Sequence, residues 1–115
     1  MILPGFMGVR NGHLCIRDHD MVALAGQHGT PLYVTDQDRI EENYRQYQQA
    51  FLSRYPDTRI LYAAKANGNL AVLRALAGLG AGADVFSSGE LHLALTAGMS
   101  PGSLLFNGSS KSPGD

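Results

Sequence analysis

From Pro31 onward, short apolar runs alternate with amphipathic stretches of helical period. Such a rhythm confines a chain to parallel sheets whose crossovers carry the helices. Leu32-Tyr33-Val34 reads as a first buried strand. Thr35 or Asp36 then caps a helix with Ile40, Tyr44, Tyr47 and Phe51 along one stripe. Asp38, Glu41 and Glu42 load its first turns with charge that suits the helix dipole, and Pro56-Asp57 ends it. Arg59 to Ala64 reads as a second strand. Asn69 caps a helix facing Leu70, Leu73, Leu76 and Ala77 inward, and Gly78, Gly80 and Gly82 break it. Ala83 to Phe86 is a third strand. Ser87 and Glu90 then stand in capping-box spacing ahead of a helix packed through Leu91, Ala94 and Leu95 and ended by Gly98. Leu104-Leu105-Phe106 is a fourth strand, followed by a polar loop to Asp115.

Four strands and three helices fit two architectures, a (β/α)8 TIM barrel cut short or an open flavodoxin-like sheet. A closed barrel takes about 250 residues, and residues 31–115 supply far fewer, so the expected fold is α/β, the first half of a barrel truncated after its fourth strand. Residues 1–30 form a separate preamble. Phe6 to Val9 and His13 to Ile16 flank Asn11-Gly12, a dipeptide suited to a tight hairpin. Asp18 is placed to cap a short helix carrying Met21, Leu24 and Ala25, stopped by Gly26 or Gly29. The preamble is expected to pack with a β domain further along a longer chain.

The 115 residues are 44% apolar and 17% charged, with net charge −1. That balance argues against a polybasic nucleic-acid binder. No apolar run reaches the ~18 residues of a membrane span, and Met1 to Arg10 lacks the apolar core of a signal peptide. A lone Cys15 leaves no disulfide framework, and His13, His19, His28 and His92 are scattered without ligand spacing, so no metal site is expected. Cys15 reads as a packed or partly exposed thiol and His92 as a surface or interface residue. The expected setting is cytoplasmic.

Charge is unevenly placed. Residues 60–115 hold only Lys65, Arg74, Asp84, Glu90, Lys111 and Asp115, and Lys65 and Lys111 are the only two lysines. Lys65 interrupts the apolar run Ile60 to Ala66. An ammonium there must be paired, neutralised or used. Strand alternation puts Leu61, Ala63 and Lys65 on one face and Ile60, Tyr62 and Ala64 on the other. The large residues suit the helix layer, and Lys65 falls at the carboxyl end of its strand, where barrel active sites lie. A partly desolvated amine there can condense with a carbonyl. A strand-end lysine reaching solvent satisfies the same pattern.

Tyr62-Ala63-Ala64-Lys65-Ala66-Asn67, followed by Asn69 to Arg74, resembles the YAxKAN motif of the fold-type III pyridoxal-phosphate decarboxylases. Gly82 to Leu91 looks like their GADVxSxGEL segment. Gly29 to Val34 and Phe106 to Ser112 are similar to their segments at strands one and four. The likeness runs over residues 6–115, and within the family it is greatest to the branch acting on diaminopimelate. It implies a pyridoxal 5′-phosphate enzyme that decarboxylates a diamino acid as a homodimer. Lys65 matches the lysine that bonds the cofactor, Asp84 a carboxylate near cofactor and lysine, and Glu90 a carboxylate of the same polar neighbourhood. Asp84 also reads as a turn or cap residue, and the capping box alone explains Glu90. Lys111 matches a family lysine after strand four, although its loop is polar enough to solvate it. Cys15 does not match the family's catalytic cysteine.

By the same resemblance, the phosphate-binding glycines, the acidic partner of the pyridine nitrogen, the substrate-carboxylate arginine and that cysteine are expected beyond Asp115, so the 115-residue chain is expected to have little or no activity alone. A pyridoxal-phosphate homeostasis protein and a non-catalytic half-barrel scaffold are the alternatives.

Overall fold

The structure, a computed structural model, describes residues 3–109, 111 and 112. It divides into two compact units, Met1–Arg39 and Ile40–Asp115.

In the first unit, β1 (Met7–Arg10), β2 (His13–Ile16) and β3 (His19–Asp20) form an antiparallel sheet in that order. Arg10 pairs with His13, so Asn11-Gly12 is a two-residue hairpin turn. Its φ values of 53° and 79° are the left-handed ones such a turn needs. The strand β3 was not expected. It follows from Arg17, whose φ of 51° folds the chain back for a second tight reversal. The helix α1 (Met21–His28) is capped by Asp20 and not by Asp18: Asp20 Oδ1 accepts the Val22 and Ala23 N–H groups at 2.8 and 3.1 Å. Asp18 pairs with Arg10 at 3.1 Å instead. Gly29, at φ 83°, ends the helix. Cys15 is a buried free thiol.

The expected first strand does not form. Leu32, Tyr33 and Val34 pair with no strand among the described residues, and Tyr33 is 97% exposed. Three apolar residues have no ladder of their own, and extended backbone becomes a strand only through a partner.

The helix α2 (Gln37–Leu52) follows, with Asp36 Oδ1 accepting the Arg39 N–H. Its expected stripe is half used in the second unit. Tyr44 is buried and Ile40 packs against the core, whereas Tyr47 and Phe51 are exposed and stack on one another at 4.8 Å.

The second unit is a parallel sheet in the order β4 (Leu61–Ala63), β5 (Gly82–Val85), β6 (Leu104–Phe106). The helices α3 (Leu70–Gly78) and α4 (Ser88–Thr96) make the crossovers. Asn69 caps α3 by accepting the Ala71 N–H, and Ser87 caps α4 by accepting that of Glu90. The alternation along β5 sends Ala83 and Val85 into the core with Leu73, Leu76 and Ala94. Leu73 and Val85 are fully buried, each worth about 2 kcal/mol of transfer free energy. Leu95 is exposed, and Leu93 and Ala97 pack in its place.

Gly82 fixes how closely β4 and the turn before β6 approach β5. A Cβ there would collide with the Ser103 carbonyl and lie 2.5 Å from Leu61 Cδ2. No described helix is long and apolar enough to cross a membrane.

Candidate active site

Because β4, β5 and β6 are parallel, their carboxyl ends lie on one edge of the sheet, the side on which open and closed α/β sheets bind ligands. Lys65, Asp84, Phe86, Glu90, Asn107 and Gly108 are all at or just past that edge.

Lys65 is not on the strand. β4 stops at Ala63, and Ala64–Ala66 form one turn of 3₁₀ helix, so the face of Lys65 is set by the turn and not by strand alternation. The rest of the expected alternation holds, with Ile60 and Tyr62 packed toward the core and Leu61 partly exposed. A chain of hydrogen bonds shapes the turn. The Tyr62 hydroxyl donates to the Asn67 carbonyl at 3.4 Å. Asn67 Oδ1 accepts the Asn69 N–H at 3.0 Å, and Asn69 Oδ1 accepts the Ala71 N–H at 2.9 Å. Burial pushes the Tyr62 phenol up, against the Asn67 contact, which keeps it a neutral donor. Ala64 is buried beneath, so Lys65 is turned outward and exposed.

Asp84 is half-buried on β5, directly opposite Ala63 on one side and Leu105 on the other. The neighbour on the strand that leads into Lys65 is thus a small residue. Lys65 stands two residues past the register partner of Asp84, and no ion pair joins the two charges. The Lys65 amine lies instead over the Phe86 ring, 5.9 Å from its centroid.

Glu90 fulfils half of the capping box in an altered form. Ser87 Oγ accepts the Glu90 N–H at 3.2 Å, but the Glu90 carboxylate accepts the N–H of Phe86 at 2.9 Å, one residue earlier than the cap. Glu90 thus ties the end of β5 to α4. Lys111 is exposed with its amine 5.5 Å from the centroid of the Phe106 ring. The loop after β6 presses on the same edge. Asn107 N–H donates to Val85 O at 2.8 Å, and a Cβ on Gly108 would lie 2.5 Å from Phe86 O.

Sequence reasoning missed Phe86, which was read only as the last residue of a strand. The available signal was its place between Asp84 and the cap of α4, just past the strand beside the one that leads into Lys65.

In the first unit, a depression of about 220 Å³ is lined in part by Arg17, His19 and Asp36. Arg17 Nε bonds both Asp36 oxygens at 3.1 and 2.9 Å. Desolvation raises the Asp36 carboxyl, but Arg17 and the Arg39 N–H outweigh it and leave it below the ordinary carboxylate value. Arg17 and Asp36 are thus already paired with one another.

The family model of the pyridoxal-dependent decarboxylase, pyridoxal binding domain, matches residues 37–115. Diaminopimelate decarboxylase of Methanothermobacter thermautotrophicus is 50% identical over 97 residues, covering 84% of this chain and 23% of that protein. The Aquifex aeolicus diaminopimelate decarboxylase is 42% identical over 106 residues, 92% of this chain and 24% of that one. The crystal structure of the diaminopimelate decarboxylase of M. jannaschii in complex with L-lysine superposes with a TM-score of 0.87 at 39% identity, over 94% of this chain and 26% of that one. Lysine decarboxylase of Selenomonas ruminantium superposes at 0.71 with 31% identity, over 88% and 26%. The chain therefore spans about a quarter of the length of the relatives it matches.

Proposed function

The chain belongs to the pyridoxal-dependent decarboxylases, and from that premise we propose that it is the lysine-bearing part of an enzyme converting meso-diaminopimelate to L-lysine and carbon dioxide. One observation carries the reading: the chain's strand-end lysine, Lys65, is exposed at the carboxyl edge of a parallel sheet, one strand away from Asp84.

The residues present fit the aldehyde end of pyridoxal phosphate. Lys65 offers an exposed primary amine with no carboxylate in ion-pair contact among the described residues, so nothing has to be displaced before it meets an aldehyde. When bound, the cofactor supplies a conjugated ring that takes up the electron pair left at Cα as the substrate carboxylate departs as carbon dioxide.

The chain's own residues supply placement. The Tyr62–Asn67–Asn69 hydrogen bonds hold the turn that presents Lys65 Nζ. Asp84 offers a half-buried carboxylate at that edge, on the strand beside the one that leads into Lys65. Glu90 serves by fixing the backbone at Phe86. A cytoplasmic homodimer is part of the same proposal, supported by the family likeness.

The test is borohydride reduction of the chain in the presence of pyridoxal phosphate, followed by peptide mapping. Label on Lys65 and its loss in Lys65→Arg are expected. Label shared equally between Lys65 and Lys111 supports a non-catalytic scaffold instead. Carbon dioxide release by the full-length enzyme from meso-diaminopimelate, compared with ornithine and arginine, decides the substrate.

A further inference from the structure

We propose that Phe86 is the positioning residue for Lys65: its ring is the shelf on which the Lys65 amine rests and from which it is presented to an aldehyde ligand. The inference rests on the reading of Lys65 as the cofactor-bearing lysine and adds a residue to that site.

Three main-chain restraints hold the shelf in place. The Phe86 N–H is bound by the Glu90 carboxylate at 2.9 Å. The preceding carbonyl, Val85 O, accepts the Asn107 N–H at 2.8 Å. The Phe86 carbonyl lies so close to Gly108 that a Cβ there would reach within 2.5 Å of it. These contacts fix the backbone, and with it the Cα–Cβ direction from which the half-exposed ring projects.

The ring is 49% exposed and its centroid lies 5.9 Å from Lys65 Nζ. That separation is within the ~6 Å over which a ring face attracts an ammonium. With Ala64 buried beneath the turn, the Phe86 ring is an aromatic face within reach of the exposed amine. The four-carbon stem of a lysine carries many rotamers. A ring face that holds one family of them reduces the ordering left to be done on binding.

The test uses the fact that Lys65 and Lys111 are the chain's only lysines. Reductive methylation with ¹³C-formaldehyde gives one dimethylamine signal for each in a ¹H–¹³C spectrum, assigned with Lys111→Arg. In the parent chain, ring current is expected to displace the Lys65 signal from its free-lysine position. Phe86→Leu should return that signal to the free position while the Lys111 signal, displaced by Phe106, stays where it is and reports an intact fold. Phe86→Met keeps unbranched apolar bulk and serves as the second ring-free variant. Phe86→Trp should keep the displacement.

The dissociation constant for pyridoxal phosphate should rise about 2- to 5-fold in Phe86→Leu and recover in Phe86→Trp, because part of the lysine stem's rotamer freedom is then lost on binding instead of beforehand. A Lys65 signal unmoved in both ring-free variants overturns the inference. Failure of the chain to take pyridoxal phosphate at Lys65, with the signal displaced as described, overturns the cofactor reading and leaves the shelf standing.

Discussion

The Glu90 carboxylate accepts the Phe86 N–H at 2.9 Å while the Glu90 N–H donates to Ser87 Oγ at 3.2 Å. The reciprocal pair therefore reaches one residue further back than an ordinary capping box, joining the residue after β5 to the first turn of α4. Removing the carboxylate in Glu90→Ala leaves the Phe86 N–H to water, at a cost of about 1 kcal/mol. In a unit of this size that is a fall of roughly 4–8 °C in Tm. Glu90→Gln keeps the acceptor and should recover most of it. Thermal denaturation followed by circular dichroism checks both, and equal losses in the two variants would refute the cap.

The elements that were legible in the sequence are those whose signals are local. Asn69 and Ser87 cap α3 and α4 as their side chains dictate, and Asn11-Gly12 makes its turn because few other dipeptides tolerate two left-handed residues. The core positions Leu73, Leu76 and Ala94 follow from helical period. Leu32 to Val34 failed because strand identity depends on a partner that no local pattern contains. Asp18 and Asp20 are both plausible caps two residues apart, and the Arg10 guanidinium across the hairpin draws Asp18 away. The position of Lys65 at the strand's end was legible, but the 3₁₀ turn that reorients it is built by Tyr62 and Asn67, five residues apart. Phe86 beneath the amine depends on strand-to-strand register, which is a tertiary quantity.

Glycine at position 82 is required by space. Gly82→Ala would drive a methyl into the Ser103 carbonyl and Leu61, and moving a backbone turn aside costs about 3 kcal/mol. Gly26 makes the opposite case. It lies inside α1, and a Cβ there meets nothing within 4 Å. Gly26→Ala should therefore stabilise by about 0.5–1 kcal/mol, through the entropy removed from the unfolded chain. Urea denaturation of the two variants should move the midpoints in opposite directions. A midpoint for Gly82→Ala equal to the parent's would contradict the described packing of β5.

Leu73 has no exposed surface and touches the sheet from the middle of α3. Leu73→Ala removes that contact and leaves a void that neighbouring Val85 and Leu76 cannot fill, costing about 3 kcal/mol. Leu95→Ala, on the exposed side of α4 at 43% exposure, should cost well under half as much. Chemical denaturation of both separates a packed α3 from a loosely docked one, and similar losses for the two would contradict the core as described.

Asp20 uses both carboxylate oxygens, Oδ1 for the Val22 and Ala23 N–H groups and Oδ2 for His13 Nδ1 at 2.7 Å. The His13 hydrogen bond, followed by that from Ala23, holds the carboxyl below its ordinary value of 3.8 despite some desolvation. A carboxyl lowered in the folded state binds its proton less tightly there than in the unfolded chain, so protonation favours unfolding. Its contribution is complete above pH 3.8 and is lost as the pH falls below that value and through the lowered one. Protection of the Val22 and Ala23 amides, taken relative to their intrinsic exchange rates, should therefore fall on acidification across that window. Asp20→Asn removes the titrating group and should abolish this acid dependence while keeping a capping oxygen. His13→Ala removes the largest lowering influence and should move the loss to higher pH. Protection at Val22 and Ala23 that stays flat through the window in the parent chain would show that this carboxylate does not hold the start of α1.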